Sequence, residues 1–213
     1  MFKSLNSRID HTNLSINATK DDIKRTCMEA MEYQFRGVCV NPIWVPVVFS
    51  ILKDSGVKTV SVCDFPLGAS FTAIRKKEAE MAINSGAQEI DIVIQFGLFK
   101  SGRLEEAKRD LEEIADCIHP DGKLKVIIEA PLLSDEEIKR AAKLVQEAGA
   151  DFIKTGSGTK GPVTVHQVEV IKEVSYLPIK AAGGIRDKKS AIELIKSGAS
   201  ILGSSSGIKI VRG

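Results

Sequence analysis

A recurring unit of helix, glycine and strand is the feature of this sequence that most limits its fold. The segments SGVKTVSV, SGAQEIDI, AGADFIKT and SGASILGS each run from a small residue through glycine into an apolar strand, and FRGVCVN is a looser copy. Segments with helical periodicity precede them, as in TAIRKKEAEMAIN. Glycine directly after a helix ends it readily, because glycine adopts the left-handed conformation at low cost. The repeated unit therefore predicts a parallel sheet with helical crossovers.

The number of strands decides which parallel architecture is expected. Strands are predicted near Ile9, Val38–Asn41, Thr59–Cys63, Ile90–Ile94, Leu124–Glu129, Phe152–Thr155, Ile179–Ala181 and Ile201–Gly203. Eight strands, with a helical stretch after each of the first seven, predict an α/β fold of the compact (β/α)8 TIM barrel type, a single domain over residues 1–213. A doubly wound sheet is the alternative, but the G-x-G-x-x-G loop that it would use does not occur in the sequence.

The end of the chain leaves little material for an eighth crossover helix. Only GIKIVRG follows the region of the last predicted strand and its GSSSG turn. We therefore expect a truncated final helix, and we expect another subunit to cover the flank beside the eighth strand.

The composition fits a globular chain and argues against some kinds of partner. Lys and Arg number 30 against 28 Asp and Glu, so the formal net charge at pH 7 is only +2. Without a strongly basic segment, no nucleic-acid partner is expected. The longest apolar stretch, VPVVFSIL, falls well short of the ~20 residues that cross a bilayer, and MFKSLNSRIDHT lacks the apolar run of a secretory signal. We therefore expect no association with a membrane.

The cysteines and histidines show neither a disulfide pattern nor a metal-binding pattern. The four cysteines are Cys27, Cys39, Cys63 and Cys117, and none lies in a C-x-x-C motif. The three histidines are His11, His119 and His166, and they are scattered without ligand spacing. The sequence therefore predicts a reduced, cytoplasmic protein without a metal site.

Two lysines end neighbouring predicted strands. Lys154 lies five residues after the repeat glycine Gly149, and Asp91 lies five residues after Gly86. Because side chains alternate along a strand, equal offsets predict that Lys154 and Asp91 face the same way. Lys180 ends the strand that follows that of Lys154, and adjacent strands lie about 4.8 Å apart. We therefore expect two amines and one carboxylate to converge where barrels place their active sites.

This expected convergence favours amine catalysis. An amine must be neutral to attack a carbonyl, whereas free lysine titrates near ~10.4. Burial and an adjacent cation both disfavour the charged form. With a charged Lys180 beside it, Lys154 is a candidate Schiff-base nucleophile, and Asp91 is a candidate proton relay. Taken alone, each lysine could instead form a salt bridge or contact a phosphate, and Asp91 could cap a neighbouring loop or pair with an arginine.

Two glycine-rich turns predict a phosphate site. AAGGIRD follows the seventh predicted strand and GSSSG follows the eighth. Barrels commonly bind phosphate on the backbone N–H groups of the loops after these two strands. Each turn alone is also ordinary loop chemistry, but their position after consecutive strands favours a small phosphorylated substrate.

The segments that carry these predictions resemble those of a known family. They are IDHT, GVCVNP, SVCDFPLGAS, EIDIVI, KVIIEAPLL, DFIKTGSGT, KAAGGIRD and GSSSG, and they run almost from end to end. In this order and spacing they resemble deoxyribose-phosphate aldolases, class I enzymes that join acetaldehyde to glyceraldehyde 3-phosphate. The resemblance implies a lyase that cleaves 2-deoxy-D-ribose 5-phosphate through a lysine Schiff base, in deoxyribonucleotide catabolism. We further expect a homodimer or homotetramer that needs no cofactor.

The resemblance also implies roles for individual residues. Lys154 in FIKT matches the Schiff-base nucleophile, Lys180 in KAAGG the second lysine that tunes it, and Asp91 in EID the proton-relay acid. Asp10 in IDHT matches a supporting aspartate. The implied substrate and phosphate contacts are Thr12, Cys39, Gly158, Gly183, Gly184, Ser205 and Ser206.

Three segments depart from the family pattern. The usual KTSTG is KTGSG here, with Gly156 and Ser157 beside the nucleophile. Gln95 stands where asparagine is expected, and Asp64 stands where glycine or asparagine is more usual. A carboxylate at Asp64, if it faces the mouth of the barrel, would disfavour a phosphate dianion. These departures leave the imine chemistry in place, but they leave open a related aldolase with a different acceptor.

Two other functions are also open from the residues alone. A phosphosugar isomerase or epimerase on the same barrel would use Asp91 or Glu129 as its base and Lys154 as a fixed charge. A binding module would keep the phosphate site without turnover. Among these, only the aldolase would gain covalent mass at Lys154 when acetaldehyde and borohydride are added.

Overall fold

Eight parallel strands close into one barrel in the computed structural model, which describes residues 4–213. The strands are β1 (Ile9–Asn13), β2 (Gly37–Val40), β3 (Lys58–Cys63), β4 (Glu89–Val93), β5 (Lys123–Ile127), β6 (Phe152–Lys154), β7 (Ile179–Ala182) and β8 (Ala199–Ser204). Each strand pairs with the next, and β8 pairs with β1. The predicted (β/α)8 barrel is therefore confirmed. The single domain over residues 1–213 stays a prediction, and residues 1–3 lie outside the described residues.

Helices connect the strands and cover the outside of the barrel. They are α1 (Lys20–Glu32), α2 (Val45–Leu52), α3 (Thr72–Asn84), α4 (Phe96–Lys100), α5 (Leu104–Ile118), α6 (Asp135–Glu147), α7 (Val165–Val174), α8 (Lys188–Ser197) and α9 (Gly207–Arg212). Short 3-10 helices span Asn6–Arg8, Pro42–Trp44 and Ala130–Leu132. The starts of α1, α6 and α7 are marked by capping boxes, in which a Thr or Ser hydroxyl and a side chain three residues later satisfy N–H groups that a helix leaves free.

Alternation along each strand separates an apolar layer from a charged interior. On β4, Ile90 and Ile92 are fully buried in the apolar core between strands and helices. Their neighbours Glu89 and Asp91 point to the other side, where they pair with side chains of other strands. Because the closed sheet brings eight such inner faces together, charged groups that are far apart in the sequence meet inside the barrel.

The fifth strand was predicted too long at its carboxyl end. It ends at Ile127, because Glu129 adopts a left-handed backbone conformation with φ of 51° that a strand does not allow. The 3-10 helix of Ala130–Leu132 follows at once. Glu129 therefore lies in a loop at the mouth of the barrel.

The last helix is short, as the sequence predicts. Helix α9 has six residues and packs on α8 and β1. Whether another subunit covers this flank stays a prediction. Within residues 4–213, no helix combines the length and the apolar character needed to cross a membrane.

Candidate active site

Two lysines and one aspartate meet inside the barrel. Lys154 ends β6 as expected, whereas Asp91 lies in the middle of β4 and Lys180 is the second residue of β7 rather than its last. The Nζ atoms of Lys154 and Lys180 each lie 2.8 Å from the same carboxylate oxygen, Oδ2 of Asp91. Lys154 and Lys180 are register partners on adjacent strands, so their side chains leave the sheet on the same side. The structure thus brings together the two amines and the carboxylate that the sequence predicts to converge.

Lys180 is enclosed by carboxylates. Its side chain is fully buried, and its Nζ lies 2.6 Å from Oδ2 of Asp10 as well as 2.8 Å from Asp91. Burial by itself would lower the pKa of Lys180, but the carboxylates of Asp10 and Asp91 raise the pKa above its ordinary value. Lys180 therefore stays protonated at neutral pH.

Asp91 is surrounded by amines. Its Oδ1 accepts a hydrogen bond from Lys125 at 2.9 Å, while Oδ2 accepts from Lys154 and Lys180. Burial would raise the pKa of Asp91, yet the charges of Lys125, Lys154 and Lys180 hold it well below its usual range. A neutral Asp91 is correspondingly rare near pH 7, so this side chain acts as an ionised acceptor.

A second layer of ion pairs lies deeper in the barrel, and the sequence interpretation missed it. Lys125 contacts Oε2 of Glu89 at 2.6 Å, and Arg36 contacts Oε1 of Glu89 at 2.5 Å. Arg36 also pairs with Oδ1 of Asp10 at 2.8 Å. A signal was present. Glu89 lies two residues before Asp91 on the same strand, and Lys125 is the register partner of Asp91 on β5. The side chains of Glu89 and Lys125 therefore point to the same side of the sheet as that of Asp91.

Lys154 opens into a cavity of about 430 Å³ at the mouth of the barrel. Five of the residues that the resemblance implies as substrate contacts line this cavity: Thr12, Gly158, Gly183, Gly184 and Ser205. Phe65 forms part of the wall, and its ring centroid lies 5.7 Å from Nζ of Lys154. The candidate nucleophile and the candidate phosphate loops therefore share one space.

Backbone rather than side chain forms the wall after β7. Gly183 and Gly184 have positive φ angles of 114° and 71°, which few other residues adopt. A Cβ on Gly183 would also lie 2.9 Å from the carbonyl oxygen of Gly161. The two glycines therefore let the turn after β7 pack closely against the loop that contains Gly161 and Pro162, and both line the cavity.

Arg186 is a cavity residue that the sequence interpretation did not select. It lines the wall beside Gly184 and Ser205, and its side chain is exposed. Its position directly after the GGI turn was the available signal, since a cation there faces any anion held by the turn.

Two implied contact residues lie away from this wall. Cys39 is fully buried, with Sγ 3.9 Å from Oδ2 of Asp91, and burial raises the pKa of its thiol to about 11. Ser206 borders a different cavity, which includes Glu29 and Lys209. Its N–H donates to Oγ of Ser204 at 2.9 Å. Substrate contacts from Cys39 and Ser206 therefore stay predictions, since the first side chain is enclosed and the second borders the neighbouring cavity.

Asp10 and Thr12 lie two residues apart on β1 and have different surroundings. Asp10 is fully buried between Lys180 and Arg36, whose charges outweigh its burial and lower its pKa to about 2. The Thr12 hydroxyl donates to the carbonyl oxygen of Asp10 at 3.0 Å and lies on the cavity wall. Asp10 thus belongs to the buried ion pairs, whereas Thr12 faces the cavity.

The departure at Asp64 has a structural cause. Asp64 has a positive φ of 45°, a conformation that glycine and asparagine adopt more readily. Its Oδ2 pairs with Nη1 of the fully buried Arg75 at 3.1 Å and accepts from the N–H of Ser70. The expected repulsion of a phosphate dianion is therefore not supported, because Asp64 pairs with Arg75 and is not among the described residues that line the 430 Å³ cavity.

The departure at Gln95 belongs to the same place. Nε2 of Gln95 donates to Oδ1 of Asp110 at 3.0 Å and to the carbonyl oxygen of Ser70 at 3.2 Å. Asp110 pairs in turn with Arg75 at 3.2 Å. Gln95 and Asp64 thus both bind the main chain of Ser70, and both belong to one buried cluster around Arg75 outside the barrel interior.

The KTGSG loop, which departs from the family pattern after Lys154, packs against the side chain of Glu129. Its Oε1 accepts the N–H of Ser157 at 3.2 Å, and a Cβ on Gly156 would lie 3.4 Å from its Oε2. Glu129 is only 3% exposed. It therefore supports the KTGSG loop from behind rather than from within the cavity.

Comparisons with known proteins identify the family of this chain. The family model described as DeoC/LacD family aldolase matches residues 6–212. The chain is 46% identical to a deoxyribose-phosphate aldolase of Aciduliprofundum boonei, with 98% of this chain and 96% of that protein covered. It is 45% identical to a deoxyribose-phosphate aldolase of Carboxydothermus hydrogenoformans, with 96% and 92% covered.

Solved structures show the same likeness. The structure described as "QR15, an Aldolase" superposes with a TM-score of 0.94 at 38% identity, over 99% of this chain and 96% of the other. A tetrameric deoxyribose-phosphate aldolase from Aeropyrum pernix superposes with a TM-score of 0.91 at 31% identity, over 98% and 89%. This chain therefore belongs to the DeoC/LacD family of aldolases.

Proposed function

We propose that this chain is a class I deoxyribose-phosphate aldolase, which reversibly cleaves 2-deoxy-D-ribose 5-phosphate to D-glyceraldehyde 3-phosphate and acetaldehyde. Relatives with that name at 46% and 45% identity support the substrate. The observation that carries the chemistry is Lys154 at the cavity wall, 2.8 Å from an aspartate oxygen that it shares with Lys180.

The first step is the formation of an imine on Lys154. The neutral Nζ adds to the aldehyde carbon C1 of the open-chain sugar, and the resulting carbinolamine loses water to give a protonated imine. Lys180, held in the charged form by Asp10 and Asp91, disfavours a second positive charge on the adjacent amine. Lys154 and Lys180 both contact Oδ2 of Asp91, so a proton can pass between the two amines through this oxygen.

The second step is the cleavage of the bond between C2 and C3. A base removes the proton of the C3 hydroxyl, C3 becomes the aldehyde of glyceraldehyde 3-phosphate, and the electron pair of the bond moves into the iminium. The enamine that results takes a proton at C2, and water releases acetaldehyde from Lys154. We assign Asp91 to the passage of protons as an ionised bridge between Lys154 and Lys180, because its lowered pKa leaves little of the acid form.

We place the phosphate against the loops after β6, β7 and β8. Gly183 and Gly184 offer main chain at close range, and Ser205 and Arg186 add a hydroxyl and a cation on the same wall. Charge-assisted contacts from arginine to phosphate oxygens are about twice as strong as neutral ones. The expected partner is thus a small phosphorylated aldehyde or sugar.

The isomerase or epimerase alternative finds less support in the geometry. Glu129, one candidate base, is buried and already accepts the N–H of Ser157. Asp91, the other candidate, is engaged by three amines that keep its pKa low, and a weak base removes a carbon-bound proton poorly.

Covalent trapping tests the proposal directly. Acetaldehyde and borohydride should add one N-ethyl group, and peptide mapping by mass spectrometry should place it on Lys154. The purified chain should also cleave 2-deoxyribose 5-phosphate much faster than unphosphorylated 2-deoxyribose. No added mass together with no cleavage would exclude the aldolase, and equal rates on the two sugars would exclude the phosphate site.

We further propose that the chain forms a homo-oligomer, a dimer or tetramer. The relative from Aeropyrum pernix is described as tetrameric. Leu67, Phe71 and Ile74 are 66%, 83% and 58% exposed around the start of α3, and such apolar groups are commonly covered in assemblies. Analytical ultracentrifugation at micromolar concentration tests this, and a monomer would contradict it.

We also place the protein in the cytoplasm. The four cysteines are free thiols, and reduced thiols are typical of that compartment. Fractionation of the source cells with an antibody against the chain tests this location.

A further inference from the structure

The barrel interior holds one connected set of seven ion-paired side chains. The carboxylates are those of Asp10, Glu89 and Asp91, and the cations are Arg36, Lys125, Lys154 and Lys180. Within residues 4–213 this set has one cation more than it has carboxylates. Of the seven, only Lys154 is among the described residues that line the 430 Å³ cavity.

The surplus charge can be assigned to one residue. Arg36 bridges two carboxylates and, as a guanidinium, stays charged in proteins. Lys180 lies between Asp10 and Asp91, and Lys125 lies between Glu89 and Asp91. Among residues 4–213, the carboxylate that pairs with Lys154 is that of Asp91 alone. When Lys154 loses its proton, three cations remain opposite three carboxylates, so the set is balanced in the state that nucleophilic attack requires.

Lys125 has a particular place in this balance. It is fully buried, and its Nζ donates a hydrogen bond to Oδ1 of Asp91 at 2.9 Å. Lys154 and Lys180 therefore share the other oxygen, Oδ2, as their acceptor. We propose that Lys125 is a positioning residue for the amine chemistry of Lys154: it fixes which oxygen of Asp91 meets the two amines and supplies the third cation of the balanced set. This inference rests on the proposed function.

The charged and titratable groups around Lys154 come from several elements. They are Asp10 on β1, Arg36 and Cys39 at β2, Glu89 and Asp91 on β4, Lys125 on β5 with Glu129 after it, Lys180 on β7 and Arg186 on the cavity wall. Cys39 adds no charge near neutral pH, because burial raises the pKa of its thiol to about 11. The balance near Lys154 is thus governed by the interior set.

Without the charge of Lys125, the interior carboxylates should be balanced only when Lys154 is protonated. In Lys125→Met, Arg36 and Lys180 alone face three carboxylates, so deprotonation of Lys154 would leave an unpaired buried carboxylate. Imine trapping should then require a pH higher by about one unit or more, with trapping about tenfold slower near pH 7 and recovered in alkaline buffer.

Removing a carboxylate should have the opposite effect. In Glu89→Gln, three cations face two carboxylates even when Lys154 is neutral, so trapping should extend to lower pH than in the wild type. The double variant Lys125→Met with Glu89→Gln restores equal numbers and should return the pH profile toward that of the wild type. A defect of packing alone predicts neither the opposite shifts nor their cancellation.

The experiment is the rate of acetaldehyde trapping by borohydride at Lys154 across pH 6 to about 10, in the full chain, with folding checked by thermal unfolding. Lys125→Arg keeps the charge and should keep the wild-type pH profile even if its rate falls. Lys123→Met is the matched control, because Lys123 lies exposed on the same strand and pairs with Asp151 at 2.8 Å, outside the interior set. It should change nothing.

The outcomes separate this inference from the function on which it rests. A wild type that is not trapped would overturn the proposed function. Wild-type trapping, with Lys125→Met slowed equally at every pH or Glu89→Gln shifted the same way as Lys125→Met, would overturn only the role of Lys125. If Lys125→Met does not fold, Glu89→Gln and the double variant decide, because an unshifted profile in Glu89→Gln contradicts the charge balance by itself.

Discussion

Two buried ion clusters in this molecule look alike in composition and differ in what they can do. The interior set lies along the barrel axis and contains three lysines, one of which reaches the cavity. The second, which we call the Arg75 cluster, consists of Arg75, Asp64, Asp110, Thr72 and Gln95 and lies between the strand ends and helices α3 and α5. Both bury cations against carboxylates.

The difference lies in the kind of cation and in the balance of charge. The Arg75 cluster has one guanidinium between two carboxylates, so its surplus is negative and its cation does not deprotonate. The interior set has a surplus amine, and an amine can become a nucleophile. A buried ion pair is therefore a sign of chemistry here only where the surplus group is a lysine with access to a cavity.

The carboxyl groups of the two clusters titrate in opposite directions. Burial would raise the pKa of Asp10, but Lys180 and Arg36 lower it to about 2. Burial raises the pKa of Asp110, and Arg75, which Asp110 shares with Asp64, only partly offsets this. The cluster with enough cations therefore favours ionisation, and the cluster with too few opposes it.

The largest expected effect is on Lys154→Arg. The variant keeps a positive charge beside Asp91 but has no amine that can form an imine, so retro-aldol activity should fall on the order of 10⁴-fold or more, and trapping should disappear. Steady-state cleavage of 2-deoxyribose 5-phosphate measures this. Lys160→Arg, on the exposed part of the same loop, is the control and should retain activity. Activity above about a hundredth of the wild-type value in Lys154→Arg would reduce Lys154 to a fixed charge.

The next largest effect is a loss of stability that should leave the imine chemistry intact. Arg75→Met leaves Asp64 and Asp110 buried without their cation, so the free energy of unfolding should fall by about 3–5 kcal/mol. Urea denaturation measures the loss, and Lys77→Met on the exposed face of α3 should cost less than about 1 kcal/mol. The folded fraction of Arg75→Met should still be trapped by acetaldehyde. Loss of trapping in folded protein would mean that the two clusters are coupled.

A smaller effect is expected at the glycine that makes room for Lys180. A Cβ on Gly203 would lie 3.1 Å from Cε of Lys180 and 3.1 Å from Cβ of Ala182. Gly203→Ala should therefore cost about 1–3 kcal/mol and slow trapping by displacing Lys180. Gly97→Ala is the matched control, because a Cβ there meets no atom within 4 Å. Equal unfolding temperatures for the two variants would show that the interior has unused space.

The smallest effect is in the dependence of stability on pH. Because the folded pKa of Asp10 is lowered to about 2, its contribution is present above its ordinary pKa of 3.8 and is lost as the pH falls through about 2. The pKa of Asp110 is raised, so its contribution is present below 3.8 and is lost as the pH rises through the folded value.

Urea denaturation near pH 2.5, 4 and 7 tests these opposite signs. Asp10→Asn should be most destabilising at pH 7, whereas Asp110→Asn should cost little there, since the amide removes a charge that the cluster does not balance. A larger loss at pH 7 for Asp110→Asn than for Asp10→Asn would reverse the comparison.

The sequence predicted the barrel and part of the site for identifiable reasons. The repeat glycines set the strand phase, and equal offsets from them selected Lys154 and Asp91. Lys125 and Glu89 escaped notice because charged residues near the start of a strand resemble those of an exposed strand end. Arg36 lies before β2, and its pairing with Asp10 and Glu89 depends on strands that are distant in sequence.

The pattern of residues alone determined the eight strands, their inward and outward faces and the pair of lysines on adjacent strands, because these follow from local periodicity and from the chain's own spacing. Only the tertiary structure decided that Asp91 is shared by three amines and that Asp64 pairs with Arg75. Closure of the sheet sets those distances, and the balance of buried charge depends on distances that no single segment contains.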